Sequence, residues 1–128
     1  LRSPLIVPLA LLLATAGASA AKPQEEGLAK VQGAFGNTII ETYPDGRTAR
    51  IWLAQDGSYT GEGRRHDRSG GRWSVRGVQL CFKQTHPFVF GYTFCTPIPD
   101  VGMGQPWTAK APTGETITVK VVEGRAAN

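Results

Sequence analysis

Hydrophobic positions along this chain change their spacing twice. From Pro4 to Ala16 they run almost without interruption, behind a single basic residue, Arg2. Between Gln24 and Gln32 they thin to Leu28 and Val31, which share one side of a helical projection. From Asn37 onward they alternate with polar residues, the period of a strand with one buried face. The pattern therefore predicts three regions: a leader over residues 1–20, a polar segment with a short helix over 21–35, and one β domain over 36–128.

The alternating region is divided by turn residues. Asn37–Tyr43 is β-branched and runs into Pro44-Asp45-Gly46, where Pro presets φ and Gly accepts a positive φ. Arg47–Leu53 places Ala49, Ile51 and Leu53 on one face, and Asp56-Gly57 then turns the chain into Ser58–Gly61. Arg72–Arg76 aligns Trp73 with Val75. Gly77 leads into Val78–Gln84, followed by Tyr92–Thr96 and Thr116–Val122. About seven short strands at near-regular spacing, with no long helix, indicate an all-β antiparallel meander. Closure into a small barrel or strongly curled sheet is preferred to a two-sheet sandwich, because closure removes exposed edges.

The leader sharpens the picture. Its apolar run ends in Ala18-Ser19-Ala20, a small-x-small cleavage pattern that would leave Ala21 as the new N-terminus. The run falls short of the roughly 20 apolar residues that a membrane span needs. It reads as a signal peptide rather than an anchor, and no Cys follows it to carry a lipid. The expected location is periplasmic or secreted, in a Gram-negative bacterium, with no membrane span after cleavage.

Export changes the meaning of the two cysteines, Cys81 and Cys95. In an oxidising compartment they are expected to form one disulfide. A zinc site that adds His66 and His86 is the alternative, but it lacks paired ligand spacing. Alternation sets Cys81 opposite Val78, Leu80 and Phe82, beside Gln79 and Lys83. It sets Cys95 opposite Tyr92 and Phe94. The bridge is thus expected on the polar side of two strands, with Pro87 and Gly91 in the hairpin loop between them.

The full sequence carries 14 basic and 10 acidic side chains, net +4, and loss of Arg2 with the leader leaves +3. A balance this mild favours solubility and gives no reason to expect a nucleic-acid partner, which calls for a clustered basic stripe. The local exception is Gly63–Arg72, where Arg64, Arg65, His66, Arg68 and Arg72 lie between two strands. Guanidinium forks beside glycines could hold an anion or an acidic partner. A solvated hairpin loop explains the same residues.

Trp52, Trp73 and Trp107 are first of all packing residues, since large aromatics dominate buried area. Trp52 opposes the Ala49/Ile51/Leu53 face, so it either lines a barrel interior or faces outward. Trp52, Tyr59 and Phe90 are the candidate pocket aromatics. No catalytic residue is assigned. His66 beside Asp67, His86 before Pro87, and Ser58, Ser69 and Ser74 have no nucleophile-elbow context. No cofactor or metal is expected, and a single Tyr59–Gly63 unit does not make a repeat protein.

The segments NTI…YPDGR…IWLAQDGSYTGEG…GGRWSVRGVQLCF…FCTPIP resemble small exported proteins of Gram-negative bacteria without an assigned activity, of the DUF995-type and lipocalin-like groups. The likeness covers Gly36 to about Trp107 and rests on Asp56, Gly57, Gly71, Trp73, Leu80 and Cys81. It implies a periplasmic antiparallel β domain and carries over no functional site. The expected function is non-enzymatic: binding a small ligand in the barrel mouth, or a protein partner on the surface. The alternative is an inhibitor of a secreted hydrolase, a protease more than a lysozyme, acting through an N-terminal arm over Ala21–Gly27.

Overall fold

A computed structural model of the chain describes Pro4 and residues 18–126. Helix α1 (Ala18–Val31) passes through a 3₁₀ turn (Gln32–Ala34) into eight strands. These are β1 (Thr38–Thr42), β2 (Thr48–Leu53), β3 (Ser58–Glu62), β4 (Arg68–Arg76), β5 (Gln79–His86), β6 (Thr93–Pro97), β7 (Trp107–Lys110) and β8 (Thr116–Val122). They form one antiparallel sheet in the order β6-β5-β4-β3-β2-β1-β8-β7. Its outer strands, β6 and β7, come close without a ladder between them. The result is a nearly closed eight-stranded barrel of lipocalin-like shape. No helix among the described residues is long and apolar enough to cross a membrane.

The hairpins close where turn chemistry requires. Asp45 Oδ1 accepts the Arg47 N–H at 2.9 Å, and Gly46 takes φ of +82°. Asp56 Oδ1 accepts both the N–H and the hydroxyl of Ser58, and Gly57 takes φ of +89°. These short side-chain caps leave few alternative registers.

Cross-strand partners share a face, so the registers define the interior. Ile39 lies opposite Ile51, Leu53 opposite Tyr59, Val75 opposite Leu80, and Trp107 opposite Val119. Tyr59 packs edge-on against Phe82 with ring centroids 5.1 Å apart. Cys81, between Leu80 and Phe82, points outward and is bonded to its register partner Cys95. The bridge lies on the outer face as alternation requires. Yet Cys81 is only 1 % exposed, because Ser74 flanks it on one side and Cys95 on the other. The bridge takes up both sulfurs, and the zinc alternative falls with it.

Three elements differ from the sequence reading. Strand β7 was not expected: a four-residue strand offers only two inward positions, Trp107 and Ala109, too few to display alternation. Strand β4 begins at Arg68 instead of Arg72, which shortens the arginine loop to 63–67. The cause is close backbone approach. A Cβ on Gly71 would lie 2.1 Å from the Lys83 carbonyl oxygen, so glycine here lets the β4–β5 ladder continue through a register shift at Gly70/Gly71.

The third difference is α1, which extends from Ala18 through Pro23 to Val31. Val31 is buried at 4 % exposure, whereas Leu28 is 44 % exposed and does not share its inward face. Gln24 clasps the β4–β5 turn. Its Nε2 donates to the Val75 carbonyl and its Oε1 accepts the Gly77 N–H, both at 2.7 Å. Docking of this kind is what a helix too short to stand alone needs. Residues 21–27, the arm that the inhibitor alternative would use, lie in this docked helix. The leader expected over residues 1–20 falls outside the described residues, apart from Pro4 and the first residues of α1.

Of the two positions open to Trp52, the outward one is taken, so it is no pocket aromatic. Its Nε1 donates to Thr38 Oγ1 at 3.0 Å, and the Arg125 guanidinium lies 4.2 Å from the ring centroid. The buried Thr38 hydroxyl also donates to Gly124 O and accepts the Ala126 N–H, so the C-terminal segment is tied across the outside of β1.

Candidate functional site: the barrel interior

The interior holds a cavity of about 470 Å³. At one end it meets Val31 and Ala34, where α1 and the 3₁₀ turn close the barrel. Its walls are formed by inward residues such as Ile39, Ile51, Tyr59, Phe82 and Val119. At the opposite end lie the β1–β2, β3–β4, β5–β6 and β7–β8 connections, and no helix among the described residues covers them. The cavity also reaches the seam between β6 and β7, where Val101 and Met103 of their connection contribute to the wall.

The lining is mainly apolar, with Glu41 and Tyr43 among its polar members. Glu41 and Tyr43 follow Ile39 on the inward face, and Glu41 lies between Ala49 of β2 and Val119 of β8. Tyr43 lies two positions from Glu41 on that face, and its hydroxyl favours the ionised carboxylate. Burial pushes the Glu41 carboxyl above the ordinary carboxylate range, and Tyr43 offsets only part of that. Tyr43 is raised as well, first by burial and then by the charge of Glu41. Tyr59 is raised by burial.

Glu41 was missed at the sequence level. Ile39 and Ile40 are both apolar, so the pattern does not say which phase of β1 faces inward. Choosing the Ile40 phase would turn Glu41 to solvent, where a carboxylate is expected. The neighbouring registers decide the phase, and no local signal carries it.

Of the three candidate pocket aromatics, only Tyr59 lines the cavity. Trp52 is outside, for the reason given above. Phe90 is 95 % exposed at φ of +52°, on the β5–β6 loop with Phe88. Trp107, Phe82 and Phe94 take their places on the wall.

The arginine loop does not assemble as one anion site. Arg64 turns back over the Tyr43 ring, 4.1 Å from its centroid, and pairs with Glu115 at 2.7 Å and Asp45 at 3.3 Å. These contacts raise the Arg64 guanidinium and lower Glu115, the mutual hydrogen bond acting first in each. His66 Nδ1 lies 3.2 Å from Glu62. Arg72 donates to the Asp56 carbonyl at 2.8 Å. Arg65 and Arg68 are exposed. Hairpin geometry sends successive side chains to different faces, and acidic neighbours occupy several of them. Arg64 lies over Tyr43 and ties three hairpins together.

Comparison with family models, curated proteins and solved structures found no match to this chain. Its likeness to other proteins is one of barrel shape. Disulfides such as Cys81–Cys95 belong to oxidising compartments outside the cytoplasm.

Proposed function

We propose that this chain is a non-enzymatic, exported binding protein that holds a small, mainly apolar molecule inside its barrel. The observation that carries the reading is the interior cavity itself. Its volume of about 470 Å³ lies within the usual range for ligand pockets, roughly 300–1,000 Å³. Its lining also has the usual character: apolar and aromatic walls with a few convergent polar groups. An eight-stranded barrel is the size at which the interior either fills with side chains or holds one small ligand. Small inward residues at Ala49, Gly61 and Ala109 leave this one unfilled. The lipocalin-like outline and the bridged cysteines agree with a carrier or scavenger working outside the cytoplasm.

The test is a titration of the purified domain with N-phenyl-1-naphthylamine, a neutral dye that brightens in apolar surroundings. One saturable site at micromolar concentration is expected. Ala109→Phe, which fills the cavity from β7, should abolish the signal while circular dichroism stays unchanged. Absence of saturable binding to the folded wild type overturns the proposal.

A further inference from the structure

Glu41 requires an explanation that packing does not supply. A carboxyl on a cavity wall costs stability unless its charge is answered. The groups around it do not answer the charge. Its register partners, Ala49 and Val119, are apolar, and the neutral Tyr43 side chain stands two positions along the same wall. The other charged residues along the cavity are engaged elsewhere. Lys30 pairs with Glu26 at 3.1 Å, Lys110 bonds the Thr116 hydroxyl at 2.7 Å, and Arg50 bonds the Thr48 hydroxyl at 3.2 Å. Glu62 faces His66. Arg64 lies over the Tyr43 ring and pairs with Asp45 and Glu115. A mainly apolar cavity thus holds a carboxyl and a phenol hydroxyl on one wall, and among the described residues no cation forms an ion pair with that carboxyl.

We propose that the ligand is an apolar molecule ending in a protonated amine, whose ammonium group pairs with the Glu41 carboxylate beside the Tyr43 hydroxyl while its hydrocarbon part occupies the apolar walls. This deepens the binding function proposed above and rests on it. The chemistry selects the amine over its rivals. A fatty carboxylate would set two like charges together in a low-dielectric site. An alcohol would gain only a neutral hydrogen bond. An ammonium gains a charge-assisted bond and brings Glu41 back toward its ordinary acidity. The Arg64 guanidinium, over the Tyr43 ring, is already held by two carboxylates and does not repel the amine with a full unpaired charge.

The experiment is competition against bound N-phenyl-1-naphthylamine by decylamine, decanol and decanoate, which share one chain and differ only in the head group. Measurements run from pH 5 to 8, where decylamine remains cationic. Decylamine should displace the dye at concentrations at least about tenfold lower than decanol, the factor expected of one charge-assisted hydrogen bond. Decanoate should be the weakest. Decylamine affinity should rise with pH as Glu41 ionises, and decanol affinity should not. In Glu41→Gln the dye and decanol should bind as before, which certifies the fold, and the amine preference should fall to within about twofold. Tyr43→Phe removes the hydroxyl that favours the ionised carboxylate and should move the amine's pH midpoint upward.

An amine preference that survives in Glu41→Gln, or decanol or decanoate binding as tightly as decylamine, overturns the assignment and leaves the cavity's binding role intact. Failure of the dye and of all three competitors to bind removes both readings together.

Discussion

At the scale of single residues, position on the barrel wall decides what a side chain is worth. Leu53 and Val119 are buried in the core, so Leu53→Ala should cost about 2–5 kcal/mol in urea unfolding. Phe90 is a larger apolar residue but stands in solvent, so Phe90→Ser should change stability by no more than about 0.5 kcal/mol. Glu41 gives a pH-dependent case. Its folded carboxyl is raised above the unfolded value, so the folded state binds the proton more tightly. That contribution is fully present below the unfolded carboxylate range and is lost as pH rises through the raised folded value. Glu41→Gln should therefore raise the melting temperature relative to wild type near pH 8 and make little difference near pH 4. A larger stabilisation at pH 4 than at pH 8 would contradict the burial of this carboxyl. None of these distinctions follows from residue type, since a phenylalanine is the exposed residue and a glutamate lines the cavity.

At the scale of elements, two attachments hold the barrel's contour. The Cys81–Cys95 bridge joins β5 to the outer strand β6, which pairs with β5 alone. Replacing both cysteines by serine should cost about 3 kcal/mol by the loop-entropy estimate, read as a lower urea midpoint with a similar slope. Helix α1 is the second attachment. It is fixed by Gln24 on the β4–β5 turn and by the near-contact of Gly27, where an added Cβ would lie 2.1 Å from the Gly77 carbonyl oxygen. Gly27→Val should undock the helix, and hydrogen exchange should speed up across residues 22–34 while the amides of β1 to β3 stay protected. The turn signals Pro44-Asp45-Gly46 and Asp56-Gly57 marked real hairpins, because Asx caps and positive-φ glycines act within a few residues. Strand β7 gave no such signal, being short and dependent on β8 for its only ladder. The extension of β4 through Gly70 and Gly71 read as loop for the same reason: a glycine required by close strand approach looks like a glycine required by a turn.

At the scale of the whole molecule, an almost closed sheet with one capped end converts strand alternation into an inside and an outside. The inside is mainly apolar, holds a cavity and has the Glu41 carboxyl on its wall. The outside carries the disulfide, the solvent-facing aromatics and the dispersed arginines. The sequence by itself determined the all-β meander, most hairpin turns, the pairing of the two cysteines and the outward face of their bridge. These features rest on short-range chemistry: the two-residue period of a strand, the φ tolerance of glycine, and a cysteine count with one possible partner. Only the tertiary structure decided which phase of β1 faces inward, that Trp52 lies outside under Arg125, that Arg64 leaves its neighbours to join Glu115, and that α1 caps the barrel. Each of these depends on register between segments far apart in the chain. A one-residue shift in register exchanges the faces without changing any local pattern.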